Sequence, residues 1–302
     1  MSRLAFRDGV LFFPVTPFDA ADRVDQAVLA QHISSGVDAG AAGVFAACGT
    51  GEFHALSISE FGAVVSTAVA AAAGRVPVVA GAGGPLGHAR ECARVAEEAG
   101  ADGLLVLPPY LVSGPQAGLV AYVEAIAAAT TLPLIVYHRA NAALGEDTVR
   151  RLAEIEQVVG IKDGVGDIAL MQRFVLAAAA EGRDLLFFNG LLTAELSQAA
   201  YRAIGVPLYS SAVFAMAPDL AVAFFDAYLA GDDAAQRRLL DRFYVPLVRL
   251  RDETPGFAVS LVKAGLRIQG LPVGPVRAPL VDPTSEQEDR LRAILDAGRA
   301  LL

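Results

Sequence analysis

Along most of the chain, short runs of continuous apolar residues alternate with longer Ala-rich stretches of mixed polarity. The runs are Val10–Val15, Gly43–Ala47, Val76–Ala80, Gly103–Leu107, Leu132–Tyr137, Val158–Lys162, Leu185–Asn189 and Val206–Ser210. Apolar residues in them are consecutive rather than alternating, which predicts strands covered on both faces. The stretches between predict helices over Asp25–Ala39, Ser59–Ala73, Leu86–Ala99, Leu119–Ala129, Glu146–Ile155, Ile168–Ala180 and Thr193–Ala203. Ser57 or Ser59 with Glu60 marks one helix start, and Gly40, Gly74, Gly100 and Gly205 mark ends. Ala39-Gly40-Ala41-Ala42-Gly43 and Ala99-Gly100-Ala101-Asp102-Gly103 use the same device. A helix stops on Gly, and the chain turns straight into a strand.

Eight strand segments within residues 1–216 predict a (β/α)8 barrel. A doubly wound sheet is the main competitor, but it calls for a Gly-rich first crossover. Pro14-Val15-Thr16-Pro17-Phe18 has no glycine. Residues 217–302 read as helical, with no strand signal. They are expected to form extra C-terminal helices packed on the barrel, in one folded unit, since no linker separates the parts.

Composition narrows the class. The chain has 302 residues, 54% hydrophobic and 19% charged, which excludes disorder. Two cysteines, Cys48 and Cys92, exclude a disulfide framework and a cysteine-only zinc site. A net charge of −9 argues against a nucleic-acid partner. The N-terminal MSRLAFRDG segment lacks a signal-peptide layout, and no apolar run approaches the ~20 residues a membrane span needs. A cytoplasmic protein without membrane contact is expected.

In a barrel, chemistry gathers at the C-terminal ends of the strands. The second strand ends in Cys48-Gly49-Thr50-Gly51-Glu52 and the fifth in Tyr137-His138-Arg139-Ala140-Asn141. The sixth ends in Lys162-Asp163-Gly164, the seventh in Asn189-Gly190 and the eighth in Ser210-Ser211. Lys162 interrupts an apolar strand. Burial there lowers an amine's pKa and frees it to attack a carbonyl carbon. The alternative is a strand-end lysine paired with Asp163. Tyr137 is read either as a proton carrier or as a barrel filler. Gly49-Thr50-Gly51 offers N–H groups and a hydroxyl to a carboxylate, or is an ordinary turn.

Other candidates are weaker. Gly81-Ala82-Gly83-Gly84 fits neither a dinucleotide fingerprint nor a P-loop. His32, His54, His88 and His138 have no metal-ligand spacing, so no metal is expected. His32 reads as structural and Cys48 as a small buried filler. Lys263 reads as a solvated or paired lysine.

Taken together, these residues resemble the dihydrodipicolinate synthase/N-acetylneuraminate lyase superfamily of Schiff-base (β/α)8 enzymes. The resemblance rests on Phe13-Pro14-Val15-Thr16-Pro17-Phe18, the Gly-Thr-Gly-Glu ending of the second strand, Pro108-Pro109-Tyr110, Tyr137 and Gly160-Ile161-Lys162-Asp163. Gly270-Leu271-Pro272 and Gly274-Pro275-Val276-Arg277 extend it along essentially the whole chain. It implies that Lys162 forms an imine with a 2-oxo acid, that Tyr137 shuttles protons, and that the protein is a homo-oligomer, a tetramer or a dimer. It implies no cofactor.

The departures select a branch. Cys48 and Gly49 stand where the synthase has Gly-Thr. Leu111 replaces a tyrosine that reaches a neighbouring subunit, and Ala142 replaces a carboxylate-binding arginine. The strand endings look instead like the decarboxylating dehydratases that convert 5-dehydro-4-deoxyglucarate to 2,5-dioxopentanoate. That likeness makes Gly49, Thr50, Gly51, Arg139, Asn189, Ser210 and Ser211 candidates for binding a small 2-oxo sugar acid. A 2-keto-3-deoxy sugar acid aldolase and a non-catalytic sugar-acid-binding regulator are the alternatives.

Overall fold

The computed structural model describes residues 4–6 and 8–302. Part of the MSRLAFRDG segment therefore lies outside the described residues. Eight parallel strands close into a barrel in sequential order. They are β1 (Leu11–Phe12), β2 (Gly43–Ala46), β3 (Val78–Gly84), β4 (Gly103–Pro109), β5 (Leu134–His138), β6 (Val158–Asp163), β7 (Leu186–Asn189) and β8 (Leu208–Ser211). β1 is shorter than the apolar run that predicts it, and β3 and β4 extend further toward the C-terminal end of the barrel.

The outer layer is α1 (Gln26–Asp38), α2 (Ile58–Ala72), α3 (Leu86–Glu98), α4 (Gln116–Ala127), α5 (Glu146–Glu154), α6 (Ile168–Ala180) and α7 (Gln198–Ala203). Ser57 and Glu60 cap α2 reciprocally, so the helix begins just before the Ser59 start read from the sequence. The stretch predicted as one helix over Thr193–Ala203 is instead a 3-10 turn, Ala194–Leu196, followed by α7. The Asn189 side chain donates to the Ala194 carbonyl and to Ser197 Oγ, holding the chain in that turn.

After β8 the chain is helical: α8 (Ala212–Met216), α9 (Pro218–Ala230), α10 (Asp233–Leu239), a π-helical turn (Leu240–Tyr244), α11 (Val245–Arg251), α12 (Phe257–Ile268) and α13 (Ser285–Arg299). Among the described residues no helix is long and apolar enough to cross a membrane.

Two apolar layers follow from the period-two geometry of the strands. Leu11, Phe13, Phe45, Leu105, Ile135 and Phe188 fill the barrel interior. The alternate residues, such as Phe12, Val136, Ile161 and Phe187, face the helices in a separate cluster. Register decides which polar residues join which layer. Tyr137 pairs with Lys162, and Lys162 with Phe188, so these three face inward in one row. The next row, His138, Asp163, Asn189 and Tyr209, faces the helices.

Candidate active site

A cavity of about 750 Å³ opens at the C-terminal end of the barrel. Gly49, Thr50, Tyr137, Arg139, Lys162 and Ser210 all line it, bringing together six of the nine residues expected from the sequence.

Lys162 is 5% exposed. Its Nζ stands 3.9 Å from the ring centre of Phe13, 4.5 Å from that of Tyr137 and 5.7 Å from that of Phe188. Among the described residues it makes no ion pair. Asp163, the alternative partner, turns to the other face of the strand. There it accepts from the Tyr201 hydroxyl and from the Val165 and Gly166 amides. Burial therefore acts on Lys162 without an ionised partner and brings its pKa down to about 7, with Cys48 opposing the fall and Arg139 adding a smaller push.

The Tyr137 hydroxyl donates to the Gly190 carbonyl at 3.0 Å and accepts from Arg139 Nη1 at 2.8 Å. Burial raises the phenol's pKa against the opposing pull of Arg139, so it carries its proton at neutral pH. Two glycines make room for this pair. A Cβ at Gly190 would lie 2.5 Å from Lys162 Cγ and closer still to Cε, and one at Gly164 would lie 2.7 Å from the Tyr137 ring. Both glycines stand in the strand endings, but their need for space is visible only in three dimensions.

The turn after β2 has free donors. Among the described residues the N–H groups of Gly49, Thr50 and Gly51 bond to no protein acceptor, whereas those of Glu52 and Phe53 are taken by the Gly49 and Cys48 carbonyls. The Gly51 carbonyl accepts from Thr16 Oγ1 at 2.7 Å, which fixes the turn from below. Gly51 itself is buried and does not line the cavity, so its contribution is confined to the backbone.

Two expected residues lie elsewhere. Asn189 is fully buried on the helix-facing side, where its amide also meets Gln198 Oε1 and its Oδ1 accepts from Leu191 N. Ser211 faces the same layer and caps α8 by accepting from Phe214 N. Ser210, one residue before, points the other way into the cavity and donates to the Asn189 carbonyl at 3.4 Å. The sequence reading missed the opposite wall, built by Phe53 and His54 and by Arg251, Thr254, Phe257 and Val259 around the α11–α12 connection. Arg251 donates to Thr193 Oγ1 and pairs with Asp252. No pattern in the C-terminal stretch distinguishes these residues from ordinary helix surface.

The weaker candidates resolve as packing. Burial pushes the Cys48 thiol up to about 12, leaving it neutral, and its Sγ contacts the Ala46 carbonyl. His32 is buried edge-on to Phe12, and burial holds its pKa near 4. His138 accepts from Leu144 N at 2.7 Å with its Nε2 turned to Asp163.

Comparisons with known proteins agree with this fold. The chain matches the dihydrodipicolinate synthetase family over residues 7–298. It is 56% identical to the probable 5-dehydro-4-deoxyglucarate dehydratase of Streptomyces griseus, over 100% of this chain and 95% of that protein. The crystal structure of dihydrodipicolinate synthase from Oceanobacillus iheyensis superposes with a TM-score of 0.87 at 25% identity, covering 96% of each chain. The dihydrodipicolinate synthase from Acinetobacter baumannii, complexed with pyruvate, gives a TM-score of 0.84 at 26% identity, over 97% of this chain and 99% of that one.

Proposed function

The chain belongs to the dihydrodipicolinate synthetase family, and from that premise we propose that it removes water and carbon dioxide from 5-dehydro-4-deoxyglucarate, giving 2,5-dioxopentanoate, through an imine at Lys162. The observation that carries the reading is the buried, unpaired Lys162 amine beside Tyr137 in the cavity. The substrate is taken from the Streptomyces griseus relative's name.

The neutral amine attacks the C5 carbonyl and water leaves, giving an iminium. The iminium acidifies C4, a base removes a proton there, and the resulting enamine expels the C3 hydroxyl, which takes up a proton and departs as water. Carbon dioxide then leaves from C1, and the C1–C2 electron pair flows through C2, C3 and C4 to the nitrogen. Protonation at C3 and C4 turns the enol into the aldehyde and restores the iminium, and water releases the product. One covalent electron sink serves both steps, so the proposal needs no metal or organic cofactor.

The side chains divide the work. Tyr137, held as a proton donor and braced by Arg139, moves protons at the carbonyl oxygen and the adjacent carbon. The Gly49 and Thr50 amides and the Thr50 hydroxyl, in the turn that Gly51 completes, hold the carboxylate beside the carbonyl. Ser210 assists departure of the C3 oxygen. Lys162 and Arg139 offset the overall negative charge for a dianionic substrate. The family resemblance adds a homo-oligomer, for which the exposed Tyr110, Leu111 and Val112 after β4 offer a contact surface. A cytoplasmic setting completes the reading.

Product analysis tests it. Incubation with 5-dehydro-4-deoxyglucarate in heavy water is expected to release carbon dioxide and 2,5-dioxopentanoate carrying deuterium at its former C4. Carbon–carbon cleavage to a pyruvate-type fragment without carbon dioxide would overturn the dehydratase reading in favour of an aldolase.

A further inference from the structure

The turn that offers its amides to the substrate is anchored by a group far away in sequence. Glu52 follows it directly, with a left-handed φ of 55°. Its carboxylate is fully buried and reaches the C-terminal helices rather than the barrel. Oε1 meets Lys263 Nζ on α12 at 2.5 Å, and Oε2 accepts from the Arg277 backbone N–H at 2.8 Å. Lys263 is equally buried and donates to the Pro275 carbonyl at 2.8 Å. Phe18 lies between two cations, with Lys263 Nζ 4.1 Å and the Arg277 guanidinium 4.0 Å from its ring centre. Arg277 continues outward to Glu60 at 2.6 Å and Asp22 at 2.8 Å. One buried carboxylate thus joins the β2 turn to the C-terminal segment, and its two partners flank Phe18 of the β1 loop.

We propose that the Glu52–Lys263 pair is the positioning element of the substrate-carboxylate site: Glu52 fixes the Gly49–Gly51 turn, and Lys263 cancels the charge that would repel the bound carboxylate. The inference rests on the reading of that turn as the site for the carboxylate beside the carbonyl. A fixed negative charge one residue from an anion-binding turn is unfavourable unless it is neutralised, and in a buried setting solvent screens it poorly. Stability alone does not account for the arrangement. A fully buried ion pair is seldom more stabilising than well-packed apolar residues of similar volume. What the pair supplies that apolar residues do not is an acceptor for Arg277 N–H and a charge balance beside the turn.

The test compares Lys263→Met, Glu52→Gln and the double variant with the wild type. The readouts are KM and kcat for 5-dehydro-4-deoxyglucarate and the pyruvate concentration giving half-maximal inactivation by borohydride. Lys263→Met leaves a bare carboxylate and is expected to raise KM and the half-saturating pyruvate concentration about tenfold or more, with kcat changed less than about threefold. Glu52→Gln keeps the acceptor for Arg277 and leaves a cation beside the turn, so its KM should fall below that of the wild type. The double variant should return to within about threefold of wild type. Opposite responses to the two charge removals are an electrostatic signature that a merely structural role does not produce. If Lys263→Met does not fold, Glu52→Gln decides: a KM below wild type supports the proposal, and an unchanged or raised KM overturns it. Unchanged half-saturation in Lys263→Met, or a double variant as impaired as the single, also overturns it. A wild type that pyruvate and borohydride leave active would instead remove the Schiff-base reading, and this inference with it.

Discussion

Lys162 and Lys263 are two buried lysines in one chain with opposite electrostatic surroundings. Each stacks its ammonium on a phenylalanine, Phe13 at 3.9 Å and Phe18 at 4.1 Å. Burial lowers both pKa values, but Lys263 has Glu52 at 2.5 Å to oppose the fall and Lys162 has no such partner among the described residues. The drop of Lys162 from 10.5 to about 7 is roughly 5 kcal/mol in favour of the neutral amine. At pH 7 such a group is about half neutral, against roughly 0.03% for an ordinary lysine. Burial alone does not make a nucleophile. On the proposed reading burial without a counter-charge does, and the barrel interior provides that while the seam around α12 does not.

The sharpest way to break the comparison is to exchange the lysines' fates. Lys162→Ala is expected to abolish turnover, while Lys263→Met, if folded, still turns over at saturating substrate. Steady-state assays at high substrate check this, and comparable residual activity in both would erase the distinction. Tyr137→Phe removes the phenol beside Lys162 and should lower kcat by roughly 10²–10⁴-fold, the range for acid–base groups. Gly190→Ala should cost at least about tenfold in kcat, because the new methyl collides with the Lys162 stem and forces an off-rotamer side chain. A packing-neutral result there would mean that the stem has room to move.

The remaining effects are in stability, and they have opposite signs. Lys162 binds a proton more weakly when folded, so its contribution is most favourable above pH 10.5 and is lost as pH falls through about 7. Lys162→Met removes that penalty and should raise Tm at pH 7 by several degrees. Lys263→Met leaves Glu52 buried without a cation, a change worth roughly 3–5 kcal/mol, and should lower Tm. Thermal unfolding followed by circular dichroism at pH 7 and pH 9.5 separates the two. The gain for Lys162→Met should shrink at the higher pH.

The eight strands, the barrel and the row containing Tyr137 and Lys162 are legible in the sequence because continuous apolar runs and Gly-terminated helices are local signals. The fate of Asn189 and Ser211 was also legible, through a rule the motif reading does not apply. Strand residues alternate faces, so Lys162 inward requires Asp163 outward, and register carries Asn189 outward with it. Ser210 and Ser211 likewise cannot both face the cavity. The Glu52–Lys263 pair and the Arg251 wall had no such signal. Their partners lie far apart in the chain, and only packing of the C-terminal helices brings them together. Gly164 and Gly190 fall between these cases, since their positions are plain but the side chains they clear for are not.

The central claim is that the amine without a counter-charge is the one that reacts. Borohydride reduction of the wild-type protein with pyruvate at pH 7.5, followed by peptide mass mapping, tests it directly. The account predicts one pyruvate-derived adduct, on Lys162. An adduct on Lys263, or none on either lysine, would contradict it.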